Sequence, residues 1–228
     1  MAKGLVLSLL IGVVALSGSL LLTHYLDSQD TSLNGFLSGL MLDVFGGETQ
    51  QLIRVNLYNH SIALYEGGKL YKMARVAGTG NPYNSTATPT GEFRILSKET
   101  QHISRASGVG LIMPLSMRFF GGYYFHDIPL TRNGVKIDTK YSHGCIRLPS
   151  DLAAEMFQWT HVGAYVQIYN SQLVRSETAP MVYLLTEDGF RQPIATAEAF
   201  IAHGYHWEDV VTIPDVEVAG LPLGPTIQ

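Results

Sequence analysis

From Gly4 to Leu22 the chain runs for nineteen residues without a charge (GLVLSLLIGVVALSGSLLL), with Lys3 before the run and Asp27 and Asp30 after it. At about 1.5 Å per helical residue such a run nearly crosses a hydrocarbon core of about 30 Å. A cationic flank before it and acidic residues after it predict an N-terminus held in the cytoplasm and a remainder that is exported. A cleaved signal is the rival, since Ala15-Leu16-Ser17 offers a small-x-small site before Gly18. The apolar run, however, continues through Leu20, Leu21 and Leu22, longer than the usual ~7–15-residue apolar region of a signal. The length therefore predicts a retained anchor over residues 1–27. A buried soluble helix would need a polar face, which the run lacks. On either export route the remaining chain works in the cell envelope, outside the cytoplasm.

Composition narrows what that remainder does. The chain has 228 residues and 15% charged residues, and its 15 Lys plus Arg against 19 Asp plus Glu leave a net charge of -4. With 46% hydrophobic residues, it can bury a core and is not of disordered type. No dense basic block offers a footprint for a phosphate backbone, so nucleic acid is not an expected partner. The single Cys excludes an intrachain disulfide and any CxxC zinc ribbon.

Residues 28–50 read as a tether. After it, Leu52–Tyr58 and Ile62–Glu66 are β-prone runs separated by Asn59-His60-Ser61, and Gly67-Gly68 leads into a third run, Lys69–Ala77. A Gly/Pro/Asn/Ser/Thr-rich stretch covers 78–91, a strand resumes at Glu92–Leu96, and the region from about Lys98 to Gly122 reads as loop-rich. Ser150 can cap a helix over about Asp151–Thr160, with Gly163 as its stop, and Ala164–Tyr169 closes the domain as a strand. Residues 171–180 read as a polar linker. Beyond it, a hairpin turning at Glu187-Asp188-Gly189 and a short helix, Thr196–His203, form a small unit over 181–228. Its size is marginal for independent stability, which predicts docking on the larger domain.

The chemistry is expected between His126 and Arg147. The only Cys lies in Tyr141-Ser142-His143-Gly144-Cys145-Ile146-Arg147-Leu148. A thiol becomes a nucleophile where a base or cation favours thiolate, and this segment supplies His143, Arg147 and a Gly permitting close backbone approach. His126, after the β-prone Tyr123-Tyr124-Phe125, can converge on it across a loop. A lone Cys is also often an inert small hydrophobe, and residue types alone leave both readings open.

The segment Ser142-His143-Gly144-Cys145-Ile146-Arg147 resembles the signature of the L,D-transpeptidase (YkuD-type) catalytic domain, with His126 in the upstream His position. Pro89-Thr90-Gly91-Glu92-Phe93 is similar to that family's P-T-G-x-F turn, and Met113-Pro114 and Phe119–Phe125 to its run into the first His. The likeness spans about residues 52–169. It departs at Asp127, where Gly commonly follows the His, and this leaves the contact that orients His126 open. The resemblance implies a mainly β fold with short helices, a β-sandwich-like catalytic domain over 51–170, here with an N-terminal membrane segment and a small α+β C-terminal unit. It makes Cys145 the nucleophile and His126 its base, oriented by a backbone carbonyl or by Asp127. Backbone amides at His143, Gly144 and Cys145 would face an oxyanion, and Ser142 would shape the loop. Arg147 and Tyr124 fall on the substrate side, although Arg147 could equally brace the loop.

The implied substrate is a peptidoglycan stem peptide and no cofactor is needed. The reaction would be transfer to an amine through a thioester, with hydrolysis of the same acyl-enzyme or a non-catalytic wall-binding module as alternatives. The tail is also similar to a small repeat of bacterial surface proteins, on residues such as Tyr183, Asp188, Gly189, Phe200, Tyr205 and Trp207, implying wall or protein contact. His24, His60, His102, His161, His203 and His206 have no partner at metal-ligand spacing. Bound zinc would quench a Cys145 thiolate, so no metal is expected.

Overall fold

Inward-facing Gln51, Ile53 and Val55 alternate with half-buried Leu52 and Arg54 along the first strand, β1 (Gln51–Asn56), as a sheet with one buried face requires. In the computed structural model the described residues are 50–105, 108, 110–137, 139 and 141–228. The expected anchor, 1–27, and all but the last residue of the expected tether lie outside them. Among the described residues no helix is long and apolar enough to cross a membrane.

β2 (Ser61–Glu66) and β3 (Lys69–Arg75) complete the expected meander. Its first turn places His60 at φ +56° and bonds Ser61 N–H to the Asn59 side chain at 3.1 Å. Then come β4 (Thr79–Gly80), β5 (Gly91–Arg94), β6 (Ser97–Ser104), β7 (Leu111–Phe120), β8 (Tyr123–Asp127), β9 (Tyr141–Ser142) and β10 (Ile146–Leu148). α1 (Ser150–Trp159) and β11 (Tyr165–Tyr169) close this part. One sheet has the order β3-β2-β1-β11-β5, the other β10-β8-β7-β6. Ile53, Val55, Ile62 and Leu64 of the first share a core with Met117, Phe119, Phe125 and Ile146 of the second and with Leu152 and Met156 of α1. The mainly β, two-sheet architecture is thus present.

Two expectations are corrected. The stretch 98–122 is not loop-rich: β6 and β7 pair antiparallel from Ser97↔Arg118 to Ser104↔Leu111. The run Lys98-Glu99-Thr100-Gln101-His102 conceals this because β6 is an edge strand whose side chains are half-buried or exposed, and Pro114 within β7 reads as a breaker. Residues 171–180 are not a linker throughout, since β12 (Leu173–Ser176) lies inside them. It pairs antiparallel with β13 (Val182–Leu185) and parallel with β15 (Val210–Ile213), while β14 (Arg191–Pro193) flanks β13. Short helices α2 (Ala197–Ala202), one residue shorter at each end than expected and capped by the Thr196 hydroxyl, and α3 (Asp215–Gly220) complete the unit.

The tail packs through Val174, Leu185, Ile213, Val218 and Leu221 onto Tyr58, Met73 and Tyr169. Within that contact Glu217 is buried, accepts the Tyr65 hydroxyl proton at 2.7 Å and pairs with Arg54 Nε at 3.3 Å. Burial raises the Glu217 carboxyl while Arg54 and Tyr65 hold it down. Glu217→Ala strands a buried guanidinium and is expected to cost roughly 3 kcal/mol in urea unfolding; an unchanged midpoint would assign the docking to the apolar cluster alone.

Candidate active site

The parallel ladder between β8 and β10 sets Phe125 beside Ile146, His126 beside Arg147 and Asp127 beside Leu148. One step further back, Cys145 falls beside Tyr124. Cys145 is the residue just before β10, and extending the ladder's alternation by that one step puts it on the His126 face as a diagonal neighbour, with backbones roughly 8 Å apart from strand spacing and rise. The sulfur lies over the start of β8: Sγ is 3.8 Å from Gly122 O, and Tyr124 N–H donates to it.

His126 is only 2% exposed. Its Nδ1 lies 2.5 Å from Asp127 O, and because a carbonyl can only accept, Nδ1 carries the proton and Nε2 is the free base. Burial pushes the imidazole down to about 4, against the pull of the Asp127 carbonyl, and the Arg147 charge lowers it further. Burial likewise raises the Cys145 thiol, partly offset by Tyr124 N–H and Arg147. Both shifts favour the uncharged forms, a neutral thiol and a neutral imidazole. The Asp127 carboxylate serves elsewhere: Oδ1 accepts Ile128 N–H at 2.6 Å and the Ser150 hydroxyl at 2.7 Å. Ser150 is therefore tied to β8, while Pro149 stands at the helix cap position without a side-chain cap bond.

The turn before Cys145 is pinned by side chains. Ser142 Oγ donates to Cys145 O at 2.6 Å and accepts Gly144 N–H at 2.9 Å. This occupies one of the amides considered above for an oxyanion. Gly144 has φ +108°, and a Cβ there would collide with the Tyr123 ring, so no other residue fits. Arg147 is buried, and its Nη1 donates to Thr139 O at 2.7 Å and to Thr139 Oγ1 at 2.8 Å, in a bracing geometry. His143 is exposed. The Tyr124 ring is buried and stacks on His102 with centroids 4.5 Å apart, while His102 Nδ1 meets Glu99 Oε2 at 3.0 Å. What Tyr124 brings to Cys145 is its backbone N–H.

The 78–91 turn also belongs to the site. β4 pairs with β9, Arg147 N–H bonds Gly78 O at 2.8 Å, and buried Thr88 reaches Gly144 O at 2.9 Å. Sequence reasoning missed Thr88, although it stands next to the quoted Pro89-Thr90-Gly91 turn. Among the described residues no three His, Cys, Asp or Glu gather to hold a metal ion.

The family model for the L,D-transpeptidase catalytic domain (YkuD) matches residues 50–168, just over half of the chain. Among solved structures, an L,D-transpeptidase (Yku) from Stackebrandtia nassauensis is 24% identical with a TM-score of 0.45, covering 54% of this chain and 57% of that one. One from Mycobacterium smegmatis is 25% identical with a TM-score of 0.43, covering 52% and 58%. An Enterococcus faecium L,D-transpeptidase is 24% identical with a TM-score of 0.43, covering 53% and 50%. The chain thus covers less than two thirds of the length of each. No curated protein matches it.

Proposed function

The chain belongs to the L,D-transpeptidase catalytic domain (YkuD) family, and from that membership we propose that it is an exported acyltransferase that cross-links peptidoglycan stem peptides through a Cys145 thioester. The observation that carries this is the β8–β10 ladder, which sets Cys145 diagonally from a His126 whose Nδ1 is locked on the Asp127 carbonyl.

His126 Nε2 takes the thiol proton as Sγ attacks the carbonyl carbon of an L,D bond. A C–S bond forms and the carbonyl pair moves onto oxygen, where Cys145 N–H meets the developing charge. Collapse restores the C=O, breaks the C–N bond and expels D-alanine, which leaves with the proton held by His126. An amine of a second stem then attacks the thioester, gives its proton to His126 and releases the thiol as a new amide forms. Ser142 shapes the turn, and Arg147 holds it through Thr139. The uncharged run Gly4–Leu22 supports delivery to the wall side as an anchor.

Intact-protein mass spectrometry of the full-length chain with a disaccharide-tetrapeptide tests the reading. The expected result is an acyl adduct on Cys145, free D-alanine and a cross-linked dimer. Tripeptide without dimer would make the chain an L,D-carboxypeptidase; neither adduct nor product would make it a wall-binding module.

A further inference from the structure

We propose that Thr88 is the positioning residue that aims the Cys145 amide at the oxyanion, a role that rests on the acyl-transfer reading above. Thr88 Oγ1 lies 2.8 Å from Gly80 N and 2.9 Å from Gly144 O. The amide can only donate, so Oγ1 accepts from Gly80, and its single proton goes to the Gly144 carbonyl. That bond fixes the plane of the Gly144–Cys145 peptide. In a trans peptide the N–H points opposite to the C=O, so gripping Gly144 O turns Cys145 N–H away from buried Thr88.

The other groups of this turn are held independently, because Ser142 Oγ binds both Gly144 N–H and Cys145 O. The amide direction that Thr88 alone sets is that of Cys145. The grip is also stiff. A Cβ on Gly80 would collide with Thr86 O and press on Thr88 N, so the 78–88 turn is folded tightly on itself. Pro89 further restricts Thr88 to extended backbone.

Two reagents separate positioning from mere structure. Acylation of the thiol by imipenem passes through an oxyanion, whereas alkylation by iodoacetamide displaces iodide at a saturated carbon and forms none. Both rates are followed by intact mass on the full-length chain. Thr88→Val is expected to slow acylation roughly 10- to 100-fold, as a misaimed oxyanion donor should, while alkylation keeps the wild-type rate. Thr88→Ser, which retains the hydroxyl, restores acylation. If Thr88→Val loses its thermal transition, Thr88→Ala repeats the comparison without a methyl against two polar groups. Equal slowing of both reactions, or wild-type acylation in the variants lacking the hydroxyl, overturns the role of Thr88. Failure of the wild-type chain itself to form an acyl adduct overturns the acyl-transfer reading, and the Thr88 assignment with it.

Discussion

Cys145→Ala is expected to abolish turnover of a disaccharide-tetrapeptide while leaving the unfolding midpoint almost unchanged. Both halves follow from where the sulfur sits. It is the only thiol in the chain, and no second thiol can inherit its role; losing the nucleophile of a comparable catalytic unit costs roughly a millionfold in rate. Its structural stake is small. Cys145 is only half-buried, and its Sγ is engaged by Gly122 O at 3.8 Å and by Tyr124 N–H, so deletion of one sulfur should cost on the order of 1 kcal/mol or less. The turn that carries it is held by Ser142, Thr88 and Arg147 through backbone groups that Ala also possesses. The paired measurement is product release by chromatography and a urea melt. Residual turnover at the wild-type level would remove Cys145 from the chemistry, and a collapsed melt would recast it as a packing residue.

The two residues proposed as nucleophile and base could be singled out in the sequence because the information is local. Cys145 sits in a short run with His143, Gly144 and Arg147, and His126 ends a β-prone segment. The two-sheet fold was legible where a strand alternates, as in β1, or runs continuously apolar, as in β2, and unreadable where an edge strand carries polar residues on both faces, as in β6. What sequence could not supply was register. Only the β8–β10 pairing tells that Arg147 lies beside His126 and lowers its proton affinity. Only the folded structure separates the Asp127 carbonyl, which orients the imidazole, from its carboxylate, which holds Ser150. Thr88 acts across 56 residues of chain, a separation that no local pattern encodes.

His126→Gln tests the electrostatics of the couple and should change two pH profiles at once. Burial lowers the imidazole to about 4, so in the wild type Nε2 is unprotonated and available as a base from roughly pH 5 upward. Acylation should therefore hold through mildly acidic pH and fail only near pH 4, and thiolate absorbance should be weak at pH 7 because the Cys145 thiol is raised. His126→Gln removes the base and should slow acylation roughly 10²- to 10⁴-fold. In the variant the residual rate should climb with pH as the thiol ionises on its own.

The stability profile moves with a definite sign. The unfolded chain protonates His126 near pH 6.5 and the folded chain near 4. Between those values the unfolded state binds more protons, so stability is full above about 6.5 and falls by about 3 kcal/mol as pH drops to 4. Gln takes no proton, and the variant should lose that share of the acid slope in urea melts taken across the window. A wild-type thiolate signal at pH 7, with an imidazole titrating above 6.5, would instead describe an ion pair and overturn the neutral couple. Equal acid slopes in wild type and variant would place the titrating group elsewhere.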